Sequence, residues 1–220
     1  MNWLADFFGD AAHWSGPDGI PARLLEHLGY SAAAFLVAAL IAVPLGMLIG
    51  HTGRGALLVV VAANAARALP TLGLLVLVVL LAGVGTVLPV LVPLIVLAVP
   101  PILVNTYEGL RGVDADLRDA AYGMGLRGRQ VLFRTLTPVA LPLILLGLRL
   151  SAIQVVSTAT VAAFVGLGGL GRFIIDGLAT KAYSSVIGGA VLVAALALAV
   201  QFGFLLLGRV VVSPGVRQTR

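Results

Sequence analysis

Cysteine is absent from the 220 residues, so neither a disulfide nor a thiolate metal site is available. Charge is also scarce. Asp, Glu, Lys and Arg together make up 10% of the chain, against roughly 25% in an ordinary soluble domain, and 60% of the residues are hydrophobic. That balance excludes a water-soluble enzyme and points to a chain whose solvent is lipid. Lysine occurs only at Lys181, and no phosphate-cradling G-x-x-x-x-G-K-[ST] loop exists, so ATP hydrolysis by that route is excluded. His13, His27 and His51 are scattered singly. Zinc needs three or four converging ligands, so no metal and no other cofactor is expected.

What is present is a set of long uncharged runs. A helix rises about 1.5 Å per residue and the hydrocarbon layer is about 30 Å thick, so about 20 apolar residues cross it once. Leu28 to Gly50 makes a first span. A second runs from about Gly55 to Leu81, interrupted by Arg67 and Pro70. The uncharged stretch Ala68 to Tyr107 measures about 60 Å as one helix, twice the layer, so it must fold back. The turn falls at Ala82-Gly83-Val84-Gly85-Thr86, where two glycines end the helix. A third span follows to Tyr107, a fourth covers about Leu136 to Val165 with Arg149 inside it, and a fifth covers Ser185 to Gly208.

The net charge of +5 is explained by topology. With the amino terminus outside, the inner loops hold Arg54, Arg111, Arg118, Arg127, Arg129, Arg134, Arg209, Arg217 and Arg220, and the outer ones only Arg23, Arg172 and Lys181. Cytoplasmic loops gather cations, so the carboxyl terminus is expected inside and nucleic acid is not needed. Residues 1–27 lack a basic start and cleavage site and carry Asp6, Asp10, Asp18 and Glu26, which reads as an external lead-in. Residues 28–208 then form the membrane domain, with a cytoplasmic loop at 111–138, and 209–220 form a cytoplasmic tail.

Proton- and sodium-driven carriers commonly place acids inside the membrane, and here every acid lies in a loop or at a span end. Two arginines do lie within spans. Asn64, Arg67 and Thr71 share a helical face beside Pro70, which frees the Ala66 carbonyl. Irregular backbone at that depth is tolerated only within protein or beside water, so this stripe is expected at a translocation path or gate. Ser151, Gln154 and Thr158 share one face of the fourth span and are expected on the same path; the alternative is ordinary polar helix packing. Gly166-Leu167-Gly168-Gly169-Leu170-Gly171 fits the dinucleotide fingerprint G-x-G-x-x-G, yet it follows a membrane helix instead of a strand. It reads as a sharp turn at the outer surface, and the region beyond it, with Arg172, Asp176 and Lys181, is expected to meet an external partner.

The loop from Arg111 to Pro138 is the most informative. Asp114 and Asp116 suit a helix start, and Leu117, Ala120, Ala121 and Met124 then recur at helical spacing. Gly123 and Gly125 break the helix, and Arg127, Gly128 and Arg129 lead into a second short amphipathic piece with Val131, Leu132 and Phe133. Such a pair suits either a groove on another protein or an anionic lipid surface.

Asp119-Ala120-Ala121-x-x-x-Gly125, followed after nine residues by Thr135-x-Thr137-Pro138, resembles the E-A-A-x-x-x-G-x9-I-x-L-P loop of permease subunits in binding-protein-dependent ABC importers. Asp replaces Glu at 119, and Thr replaces Ile at 135 and Leu at 137. Arg67-Ala-Leu-Pro70-Thr-Leu-Gly-Leu-Leu resembles the R-T-I-P-S-L-A-L-L stretch of the osmoprotectant permeases for glycine betaine, choline or carnitine. Pro44-Leu45-Gly46 and Ala162-Ala163-Phe164-Val165-Gly166-Leu-Gly168-Gly169-Leu170-Gly171 fit the same subfamily.

The resemblance implies an all-α fold, a polytopic helical bundle of about five transmembrane helices in the bacterial inner membrane, of the type I importer or MetI-like permease kind. It implies ATPase coupling through Asp119, Ala120, Ala121, Met124, Gly125, Leu126 and Arg127. The implied partners are two ATP-binding subunits, a second identical or homologous permease, an external substrate-binding protein and the lipid bilayer. An amino-acid permease such as the methionine type shares this architecture and stays open as an alternative, as does, from another class, an ion-coupled carrier or a purely structural membrane subunit.

Overall fold

In lipid, uncharged backbone can satisfy its N-H and C=O groups only within itself, which is why the long apolar runs are helices. A computed structural model describes residues 2–83, 85–213 and 215, with the side chains of Leu58, Val60, Ala62, Ala66 and Arg67 outside the described part. Among the described residues there is no strand. A short helix α1 (Trp3–Gly9) and a 3-10 turn (Ala11–Trp14) precede α2 (Ile20–Thr52). Then come α3 (Ala56–Ala68), α4 (Thr71–Ala82), α5 (Leu88–Arg111) and α6 (Ala115–Gly123). The chain continues through α7 (Gly128–Gln130), α8 (Thr137–Thr158), α9 (Gly171–Thr180) and α10 (Tyr183–Val211).

Among the described residues, four helical stretches are long and apolar enough to cross a membrane: Ile20–Thr52, Leu88–Arg111, Gly128–Val165 and Tyr183–Val211. The expected second span is different. It is two half-length helices, α3 and α4, separated by extended Leu69 (φ −77°, ψ 121°) and Pro70 (φ −72°, ψ 119°). Proline pushes the residue before it out of helical conformation and has no N-H to continue the ladder, so the helix breaks instead of bending. The expected turn after α4 is glycine-built, with Gly83 and Gly85 both at positive φ; Val84 lies outside the described residues.

The bundle is centred on α5, which packs on α2 and on α8. Almost every side chain in these helices is apolar, so polarity cannot choose the inward face; size does. The buried residues of α2 are Ile20, His27, Ser31, Ala34, Ala38, Ala42, Gly46 and Gly50, from Ser31 onward a row of small residues at helical spacing that lets backbones approach closely. A Cβ on Gly46 would stand 2.7 Å from Thr106 Cβ of α5, and one on Gly50 2.8 Å from Leu110 Cβ. The opposite seam is equally close: a Cβ on Gly147 of α8 would stand 2.8 Å from the Pro101 carbonyl oxygen.

The expected second amphipathic piece after Gly125 is not separate. Residues Gly128 to Gln130 run through a π-helical turn, Val131–Leu136, directly into α8. Thr137 Oγ1 donates to the Leu132 carbonyl at 2.8 Å across that wide turn. The fourth span therefore begins at Gly128, and Val131 and Leu136 are buried in a second apolar cluster with Leu110, Val113, Ala121, Ala140 and Ile144.

Candidate functional site

Three arrangements emerge from the candidate residues. The first is a cavity of about 550 Å³ beside the α3–α4 break. Thr71 at the start of α4 and Gln154 of α8 both line it, with Ala63, Leu69, Pro100, Pro101 and Asn105 among the other walls. The volume suits a small solute. Among the described residues its lining carries no charged or aromatic side chain, and its polarity comes from Thr71, Asn105, Gln154 and backbone.

The other expected path residues are dispersed. Asn64 is exposed on α3, Pro70 is exposed at the break, and Thr158 is half-buried at the end of α8; none is among the cavity walls. The Arg67 side chain lies outside the described residues. Ser151 corrects an expectation. It is fully buried, and its hydroxyl donates to the Ala98 carbonyl at 3.0 Å, so it ties α8 to α5 instead of facing the cavity. Arg149, on another side of α8, has its Nε buried without a hydrogen-bond partner.

The second arrangement is the α6 end. The Asp114 side chain caps the helix, accepting the Asp116 N-H at 2.7 Å, as the acids before it suggested. After Gly123 the chain reverses at Gly125 (φ +79°), a conformation that glycine adopts without steric penalty. Of the small stripe, Ala121 alone turns inward. Leu117, Asp119, Ala120 and Met124 stay exposed, Met124 at 75%. Leu126 is half-buried, and Arg127 is exposed with its backbone N-H held by Gln130 Oε1 at 2.8 Å. An apolar face with acidic and basic flanks is therefore displayed on a helix whose base is anchored in the core.

The third lies at the opposite end. Glu26 Oε2 accepts the Gly169 N-H at 2.8 Å and Arg23 Nη1 at 3.0 Å, while Arg23 also pairs with Asp18. Beneath them buried His27 donates from Nε2 to the Val156 carbonyl at 2.8 Å. The glycine string is held to glycine by close approach, to this clasp at Gly168 and to Thr160 at Gly171, and by backbone conformation elsewhere. A Cβ on Gly168 would stand 1.8 Å from the Glu26 carboxylate, one on Gly171 2.2 Å from the Thr160 carbonyl oxygen, and Gly166 and Gly169 hold positive φ. Arg172 and Asp176 are paired at 2.9 Å and line a cleft of about 290 Å³ with Asp18 and Arg23. Lys181 is exposed at the left-handed end of α9 (φ +60°) and is not among the walls of that cleft.

Residues 42–218 match the family model described as "binding-protein-dependent transport system inner membrane component". The chain belongs to that family. This permease is 35% identical to the carnitine transport permease protein OpuCB of Listeria monocytogenes, over 92% of this chain and 90% of that protein. It is 37% identical to the glycine betaine/carnitine/choline transport system permease protein OpuCB of Bacillus subtilis, over 87% and 88% of the two chains. A solved structure of the MetNI methionine ABC transporter, in inward-facing conformations, superposes with a TM-score of 0.75 over 88% of this permease and 96% of that chain. At 24% identity that likeness speaks for the fold.

Sequence reasoning missed three features of the permease. Asn105 was a detectable signal, the one amide in α5 and four residues after Pro101, whose carbonyl its Nδ2 now meets at 2.7 Å. In the sequence Glu26 is one acid of the lead-in and His27 a lone histidine; their partners at 169 and 156 are far away and leave no local signature. The small-residue row of α2 was legible in its spacing but hidden by uniform hydropathy.

Proposed function

We propose that this permease forms half of the translocation path of an ATP-driven importer of osmoprotectants: glycine betaine, choline, carnitine or a related quaternary ammonium solute. The observation that carries the reading is likeness over about nine-tenths of both chains to a carnitine permease, alongside a second relative named for all three solutes. The likeness to the methionine transporter, at 24% identity, carries no comparable weight for substrate.

In this reading a second permease, identical or homologous, completes the path, two ATP-binding subunits supply the energy, and a binding protein delivers solute. The α6 end is cytoplasmic, with the amino terminus outside and the carboxyl terminus inside, following the distribution of arginine. Asp119, Ala120, Ala121, Met124, Gly125, Leu126 and Arg127 receive the ATP-binding subunit. Thr71, Asn105 and Gln154, with Asn64, Arg67 and Pro70 near the break and Thr158 at the end of α8, serve the path or its gate. Arg172, Asp176 and Lys181 meet the binding protein.

Coupling requires that a partner contact two states of the permease differently. Here the docking helix rests through Ala121 on the cluster that holds the base of α8, and the π-turn makes that base continuous with the span carrying Gln154. Movement of α6 is thereby passed to one wall of the cavity. The neutral lining lets a solute pass without trapping it, which leaves selectivity to the binding protein; a quaternary ammonium ion is usually held by aromatic faces.

The test is uptake of labelled glycine betaine, choline, carnitine and methionine into proteoliposomes holding the assembled complex with its binding protein. ATP-dependent uptake of one of the first three, without competition by methionine, supports the proposal. Uptake of methionine alone, or uptake that follows an ion gradient with no ATP-binding subunit present, overturns it.

A further inference from the structure

Helix α1 is amphipathic: Trp3, Leu4, Phe7 and Phe8 fall within one arc, with Asp6 outside it. Part of that arc is used within the protein. Phe7 is fully buried, meets the Phe173 ring edge-on at a centroid separation of 5.3 Å, and fills the space a side chain at Gly188 would need. Phe8 is half-buried against it, and the rest of the arc is uncovered. Trp3, Leu4 and, from the turn that follows, Trp14 are all exposed.

Two observations say what covers them. Trp14 Nε1, the only polar atom of its ring, already donates to the Phe8 carbonyl at 2.8 Å, so the indole can enter an apolar medium without stranding a donor. The second is depth. Gly188 is five residues beyond Tyr183, which sets α1 about 7 to 8 Å along α10 from that helix's start. α10 buries little of its apolar length, so its exposed sides face lipid or another subunit, and α1 lies against it just inside its end. Tryptophan and amphipathic helices settle at that level, with the apolar face about 5–10 Å into the boundary between headgroups and acyl chains.

We propose that α1 and the turn after it form a lipid-interface anchor, with Trp3, Leu4 and Trp14 immersed at the headgroup–acyl boundary at the α9 end of the bundle. Through Phe7 the anchor fixes the depth of α9 and α10, and with them the clasp that closes on Glu26.

Trp3 and Trp14 are the two tryptophans of the whole chain, so tryptophan fluorescence, excited at wavelengths tyrosine does not absorb, reads this region alone. The full-length chain is reconstituted in phosphatidylcholine vesicles, with Trp14→Phe isolating Trp3 and Trp3→Phe isolating Trp14. The expected result is blue-shifted emission from both, strong loss of intensity with lipid brominated near the glycerol end, smaller loss with bromine at the chain ends, and weak loss with iodide on both sides of the vesicle. Red-shifted emission quenched by iodide and not by bromolipid places the rings in water and overturns the proposal. Emission that neither quencher reaches also overturns it, because the rings are then covered by protein, such as a second copy of the chain.

Discussion

In α2, α5 and α8, Pro44, Pro93, Pro100, Pro101 and Pro142 lie inside unbroken helices, whereas Pro70 separates α3 from α4. An interior proline costs about 3 kcal/mol by removing a hydrogen bond and crowding the preceding turn. The three long helices offset that through close packing on one another: Pro93 and Pro100 are themselves buried, and the neighbouring seams are built from Ala and Gly. Helices α3 and α4 have little such support, with Val59, Ala63 and Leu75 their only buried hydrophobic residues among those described. The same residue type thus leaves a supported helix intact and ends an unsupported one. The chain divides into a tightly seamed frame and a loosely held broken span, and the cavity lies where they meet.

The largest expected effect comes from cutting the frame off from its docking helix. Gly125 holds φ +79°, which proline cannot adopt, so Gly125→Pro should abolish uptake by the assembled complex while membrane insertion stays normal. Retained uptake with substrate-stimulated ATP turnover would refute transmission of movement through α6. Next comes the seam itself. Gly147→Ala places a methyl against the Pro101 carbonyl and Asn105 and should destabilise the chain by about 1–3 kcal/mol, read as a shifted unfolding midpoint in a dodecyl sulfate titration. Gly203→Ala, in open space on α10, should leave the midpoint unchanged or raise it slightly.

The broken span should respond the other way. Pro70→Ala restores a backbone donor at the break and should lower the uptake rate several-fold with little change in unfolding midpoint, whereas Pro44→Ala should leave uptake near normal. A loss of stability without a loss of transport at Pro70 would make the break ordinary packing. The smallest effect separates two residues three positions apart. Ser151→Ala should cost about 0.5–1 kcal/mol of stability and leave uptake intact, while Gln154→Leu should slow uptake at constant stability.

Most of the spans and the form of the loop at 111–138 were readable because each is a local property: an uncharged run of membrane length, an acidic cap, a glycine where the chain must reverse. The Asp114 cap and the Gly125 reversal illustrate this. Ser151 shows the limit. Helical spacing groups it with Gln154 and Thr158, but a polar residue on a membrane helix has two destinations, a cavity or a neighbour's carbonyl, and only the position of Ala98 decides between them. The same holds for the glycine string, whose tightness was legible while one of its reasons, the carboxylate of Glu26, lies 143 residues from Gly169. The path from Gly128 into α8 escaped for a different cause: two glycines and two arginines resemble a loop, and the π-turn that carries helix through the region has no simple periodic signature.

The absence of native cysteine makes the most direct measurement straightforward. Spin labels are placed at Leu77→Cys on α4 and Leu88→Cys on α5, and separately at Leu36→Cys on α2 and Leu88→Cys, all at exposed positions. Distances are then recorded by pulsed electron spin resonance in the assembled complex with and without ATP. The proposed coupling predicts that the α4–α5 distance changes on ATP binding while the α2–α5 distance stays constant. An α4–α5 distance that ignores ATP, or an α2–α5 distance that shifts as much, would contradict a frame that moves with α6 as one body against the broken span.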